Sequence, residues 1–167
     1  MASELTLLDR FLSTDRARTL LFQRVMLGAI MFPHGAQKLL GWFGGYGLAG
    51  TMGYFTDVLH IPAPLALLII AAESIGAVGL ILGAGTRLAA LGVVAVMLGA
   101  IFTTHLHVGF FMNWLGAQSG EGFEYHLLAL ALALPLVVRG GGVFSVDGAL
   151  EDRLRSGGAP IPHPNGA

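Results

Sequence analysis

Glu73 stands in Ala71-Ala72-Glu73-Ser74-Ile75-Gly76, near the middle of a stretch apolar enough to lie in lipid. An unpaired carboxylate facing acyl chains costs at least a few kcal/mol, so this side chain must face protein. There it is either neutral, because burial disfavours charge, or ionised beside a cation such as Arg24 or Lys38. Five of the six histidines (His34, His60, His105, His107 and His126) fall near the same end of four apolar segments, while eight of the nine basic residues cluster toward the other end. Imidazoles change charge near neutral pH, so a carboxylate gathered with several of them is suited to proton relay or to hydrogen-bonding a polar ligand. The structural alternative for Glu73 is a contact that only specifies how helices pair.

Around this centre the spacing adds candidates. Arg24, Gly28, Met31, Gly35 and Lys38 recur at helical intervals and form one stripe, with His34 one turn before Lys38 and rotated from that line. Pro33 cannot donate a backbone hydrogen bond, which predicts a kink and a free carbonyl near Ala29. The plainer reading is that Arg24 and Lys38 snorkel toward opposite headgroup layers. His105 and His107 bracket Leu106 and would sit on roughly opposite faces of a helix, so they are not expected to chelate one metal, and no metal site is expected. Glu124 and His126 place a carboxylate and an imidazole at a similar depth, with Tyr125 between them and Glu121 just outside. The site predicted in this way has Glu73, His34 and His126 handling protons, with Lys38, His105 and Glu124 completing a polar ligand site. A bis-histidine haem on His34 with His105 or His126 is demanded by no spacing and has no attachment motif. His60 and His163 are read as structural.

Helices must carry these residues. The composition, 54% hydrophobic and 11% charged over 167 residues, with a mean hydropathy of +0.73, is that of a membrane protein. The net charge of -1 argues against nucleic acid as a partner, and the absence of cysteine excludes thiol chemistry within the chain. Crossing roughly 30 Å of hydrocarbon takes about 20 helical residues. Four stretches qualify, at 19–40, 62–83, 86–108 and 123–140, predicting an all-α, four-transmembrane-helix bundle. Arg10, Arg16, Arg18, Arg87, Arg139, Arg153 and Arg155 fall on one side and Lys38 on the other, so both termini are expected in the cytoplasm. Segment 1–18 is then a cytoplasmic N-terminal piece, not a cleaved signal, and 141–167 a cytoplasmic tail, extended and mobile from about Gly157. Trp42, Trp114, Tyr46, Tyr54 and Tyr125 belong to the outer connections or their edges, as rings seeking a headgroup layer do. The first connection, 41–61, offers a short amphipathic piece around Met52 to Leu59, expected to lie in the interface as a lid.

The combination of His34-Gly35-Ala36-Gln37-Lys38 and Gly41-Trp42-Phe43-Gly44-Gly45 with Glu73, Thr86-Arg87-Leu88-Ala89-Ala90, Gly109-Phe110-Phe111 and Glu124-Tyr125 resembles the DoxX family over residues 18 to 150. The resemblance implies a small four-helix protein of the bacterial cytoplasmic membrane. It also implies association with redox complexes, since related subunits are linked to thiosulfate:quinone oxidoreduction and others to membrane oxidoreductase or stress-associated complexes. Some redox-associated relatives carry paired cysteines, which this chain lacks, and that leaves quinone or proton handling. The leading expectation is therefore a membrane subunit of a quinone-linked oxidoreductase, with a quinone entering between helices and a periplasmic or membrane partner delivering electrons. Two other classes compete: a non-catalytic membrane anchor or assembly partner, and a small proton or solute pathway. The lipid bilayer is the expected surrounding, and a homo-oligomer is a further expected assembly.

Overall fold

The computed structural model describes residues 14–157. Among them every regular element is helical. The expected mobile tail, with Pro160, Pro162, Pro164 and His163, and nearly all of the N-terminal segment lie outside the described residues. Helix α1 is Arg18–Leu40, and a short 3₁₀ turn Trp42–Gly44 leads to α2, Gly47–Gly53, which widens into a π-helical turn at Tyr54–Val58. Helix α3 is Ala63–Leu82, and α4 is Thr86–Ala100 with a π-helical turn at Ile101–His105. Helix α5 is Glu124–Arg139, and α6 is Val146–Gly157.

The four long helices fall on the four expected stretches, with two differences. Helix α5 has 16 residues, about 24 Å at 1.5 Å per residue. Helix α6 lies within what was read as a tail. Helix α1 also runs on through Pro33 to Leu40 and stops at Gly41, whose φ of 73° is the left-handed conformation that ends a helix.

Helix α1 packs along α3, α3 against α4, α4 against α5, and α5 back against α1. The side chains at the shared centre are often small: Ala77, Ala90, Ala129 and Ala133 meet Leu27, Met31, Leu80, Val93 and Leu136. The large apolar side chains point the other way, with Leu68, Ile75, Phe102 and Val138 all at least 66% exposed. Arg24, Glu73, Ser74, Thr86 and His126 are buried. Polar inside and apolar outside is the arrangement that hydrocarbon selects. Two helical stretches, Ala63–Leu82 and Thr86–His105, are long and apolar enough to cross a membrane, and only 28% and 22% of them are buried.

The basic end is closed by polar side chains placed on helix termini. The first amide groups and last carbonyls of a helix have no intrahelical partner. The Arg24 guanidinium, 1% exposed, donates to the α3 carbonyls of Leu80 (3.1 Å) and Ile81, and to Gly141 (2.7 Å) and Phe144 (2.6 Å) in the segment after α5. The Asp147 carboxylate accepts from the amides of Gly85 (2.7 Å) and Thr86 (2.8 Å) at the start of α4. Arg87 donates to the carbonyls of Val137 and Val138 in the last turn of α5. The chain before α1 joins the same end, with the Thr14 amide on Glu151 and the Gly142 amide on the Thr14 hydroxyl.

Candidate functional site

The other end holds the ionisable groups singled out in the sequence. Gly28 and Gly35 lie on one face of α1, two turns apart, and let it approach α3. A Cβ on Gly28 would stand 2.7 Å from the Ala77 carbonyl oxygen, and one on Gly35 would overlap the backbone of Glu73 and Ser74. The stripe Arg24, Gly28, Met31, Gly35 is buried as a unit. This contact sets the register that brings Lys38, in the last turn of α1, onto Glu73 in the middle of α3. The ammonium donates to the Glu73 Oε2, with 26% of the Lys38 side chain and 6% of the Glu73 side chain exposed.

Of the two cations left open for Glu73, Lys38 is the partner, while Arg24 is spent on carbonyls at the far end. Arg24 therefore does not snorkel. Lys38 keeps about a quarter of its side chain in contact with the surroundings while its head group pairs inward.

His34 lies within electrostatic reach of both Lys38 and Glu73, and its ring sits 6.0 Å from that of Tyr125. Tyr125 is in turn within reach of Glu73, and its hydroxyl meets the Met31 sulfur at 3.6 Å. His126, one residue on, is 8% exposed. Its ring centroid is 4.3 Å from that of His105, and His34 is also within its electrostatic reach. Among the described residues its buried Nδ1 has no hydrogen-bond partner. A buried imidazole nitrogen left unpaired costs free energy unless a ligand or water meets it, so this atom marks a place for one.

His105 owes its position to the π-helical turn Ile101–His105, which rotates the end of α4 relative to a regular helix. Its Nδ1 lies 2.8 Å from the Glu121 carbonyl oxygen, which ties the ring to the second connection. His107, beyond the turn, is exposed, and Gly109 at a φ of 116° completes the unwinding.

Five of the six predicted site residues, His34, Lys38, Glu73, His105 and His126, thus share one end, Lys38 paired with Glu73, His105 packed on His126, and His34 beside Tyr125. Glu124 stands apart. Its Oε2 faces the Met112 amide at 3.4 Å, while the neighbouring Glu121 accepts from the Asn113 amide at 2.7 Å, and both organise the second connection. That connection is pinned by Phe123 and Glu124 amides on the Gly109 and Phe110 carbonyls, and it exposes Trp114 and Leu115 at its tip. The first connection packs Phe55 of the π-helical turn onto Ala66 and Ile70 of α3, so the amphipathic piece is seated beside the site. Tyr125, expected at the headgroup layer, stands at the site instead, and its position next to His126 is the sequence signal for that place. Asp147 went unread, because a carboxylate outside the long apolar stretches gives no sign that it caps one of them.

The described residues are helical throughout their regular structure, with two helices long and apolar enough to cross a membrane and ionisable groups gathered inside, the features of a small membrane protein. The chain belongs to the DoxX family, whose model matches residues 19–106, from α1 to the end of α4. It is 32% identical over 116 residues to a Bacillus subtilis (strain 168) protein described as "Putative oxidoreductase CatD", an alignment covering 70% of this chain and 76% of that protein. No solved structure matches it.

Proposed function

We propose that this protein spans the bacterial inner membrane four times, with both termini inside, and serves as the membrane subunit of an oxidoreductase complex that handles a quinone and its protons at the outer-leaflet site. Family membership and the relative's description support the redox association. The basic residues gathered at one end support the orientation.

The observation that carries the site is the Nδ1 of His126, buried beside His105 and without a partner among the described residues, at the same end as His34 and the Lys38–Glu73 pair. The donor and acceptor groups of this set suit a ligand with oxygen atoms at its edge. His126 Nδ1 meets one oxygen, and His34 or Lys38 donates to another as it gains charge. A bound quinone supplies a two-electron, two-proton acceptor, with electrons delivered by a partner at the outer face. Glu73, His34 and His126 hold and pass the protons, and the surrounding apolar side chains keep bulk water away. Binding of a short-chain quinone to the purified protein tests this. Loss of one charged or buried hydrogen bond weakens binding by at least about tenfold, equivalent to ~1.5 kcal/mol, and is expected for both Glu73→Gln and His34→Ala. Unchanged affinity in both variants overturns the reading.

The second reading, a non-catalytic anchor or assembly partner, is favoured by the closed Lys38–Glu73 pair joining α1 to α3. It predicts that the partner complex keeps its activity when the intramembrane polar residues are replaced and the helices remain inserted.

A further inference from the structure

Helix α6 is amphipathic with its faces reversed relative to a soluble protein. Its polar residues point into the molecule: Asp147 and Glu151 are 7% and 9% exposed, and Ser145, just before the helix, is 6% exposed. Each is engaged, Asp147 on the start of α4, Glu151 on the Thr14 amide and on Arg155 (2.8 Å), and Ser145 on the Gly142 carbonyl. The apolar residues point away. Val146, Leu150 and Leu154, spaced four apart, are 51%, 43% and 45% exposed, and Phe144 before the helix is 87% exposed. Ala149 and Arg153 lie on the same outward strip by helical spacing, and both are exposed.

We propose that this outward strip lies in the headgroup region of the membrane and binds anionic lipid. Three observations favour that occupant. The outward strip is one face of a short helix, three apolar side chains with Phe144 before them, a smaller surface than the about 800 Å² per partner of a stable protein interface. Arg153 in the middle of the strip has a stem long enough to bury among lipid chains while its guanidinium meets a phosphate. Arg16, Arg18, Arg139 and Arg155 are also exposed at this end, Arg16 paired with Asp152 and Arg155 with Glu151, with Asp15 the other exposed acid. The strip also continues the exposed apolar surface of the long helices, since Leu82, Leu88 and Val138 lie at the helix ends that α6 and its neighbours cap. An apolar strip flanked by arginines at the end of such a surface is what an interfacial helix needs. Because Asp147 of the same helix caps α4, lipid contact also holds that capping group in place.

This inference rests on the membrane-spanning reading, and the experiment separates the two. The chain has no cysteine, so single labels are clean. The full-length protein carrying Leu150→Cys, Ser156→Cys or Ile75→Cys is labelled with an environment-sensitive fluorophore. Each is reconstituted in phosphatidylcholine vesicles with and without phosphatidylglycerol, using lipid-borne and aqueous quenchers. The expected result is lipid quenching at positions 75 and 150, water quenching at 156, and stronger lipid quenching at 150 when phosphatidylglycerol is present. Arg153→Gln in the Leu150→Cys background is expected to lower the lipid-inserted to water-exposed ratio about fivefold, the equivalent of ~1 kcal/mol per arginine near an anionic surface. Lipid quenching at 75 but not at 150 overturns the inference alone. Protection of 150 from both quenchers, rising with protein concentration, assigns the strip to a second copy and also overturns it. Water quenching at 75 overturns the spanning reading and this inference together.

Discussion

Lys38 and Glu73 form an ion pair between the last turn of α1 and the centre of α3, with the carboxylate almost entirely buried. Buried this deeply the carboxylate has no water to fall back on, so the pair is worth little as a surplus but much as a requirement. Removing one member exposes the cost of the other.

Lys38→Met is therefore expected to destabilise the protein by about 3–5 kcal/mol by leaving Glu73 unpaired, while Lys38→Met with Glu73→Leu recovers most of that loss. Unfolding in mixed micelles, followed by circular dichroism, measures both. A double variant no more stable than the single one would count against the pairing.

Glycine substitutions separate close packing from mere helix propensity. Gly35→Ala forces α1 off the Glu73–Ser74 backbone and should cost about 1–3 kcal/mol as an overpacking change. A Cβ on Gly99 in α4 meets nothing within 4 Å, so Gly99→Ala should be neutral or stabilising by about 0.5–1 kcal/mol. The melting temperature should fall for Gly35→Ala and hold or rise for Gly99→Ala.

At the basic end, Asp147→Ala removes the acceptor from the Gly85 and Thr86 amides and is expected to cost about 0.5–2 kcal/mol, as loss of a helix cap does. Arg24→Met should cost more, because each buried carbonyl left without a donor adds about 1–3 kcal/mol. Hydrogen exchange should rise first at the start of α4 in the aspartate variant, and at the α3 terminus in the arginine one.

The proposed orientation makes a simple demand on accessibility. A cysteine at Leu115, 93% exposed at the tip of the second connection, should react with an impermeant maleimide added to intact cells, and one at Ser156 only after the inner membrane is opened. The reverse pattern would invert the topology.

The long helices could be read from the sequence because the thickness of hydrocarbon dictates a length of apolar residues, and Glu73 could be placed inward because a bare carboxylate cannot face lipid. Its partner could not be chosen in advance. Deciding between Arg24 and Lys38 requires the register of α1 on α3, which Gly28 and Gly35 determine by contact, and periodicity alone carries no register. His105 was harder still, since the π-helical turn that re-aims it has no strong signature in Ile101-Phe102-Thr103-Thr104-His105. Helix α6 was missed because its apolar strip is only three residues long and its polar face is the buried one, the opposite of the pattern that marks a helix docked on a soluble core.

The carbonyls around the Arg24 guanidinium arrive late in synthesis. Its Leu80 acceptor lies 56 residues downstream and its Phe144 acceptor 120 residues downstream, which at ~5–20 residues per second is a delay of about 3–13 s between the first contact and the last. If α1 spans the membrane as proposed, a charged side chain enters the translocon with it long before its cage exists. Insertion of this protein must therefore shelter that nascent cation, in the translocon or among headgroups, until the ribosome has nearly finished the chain.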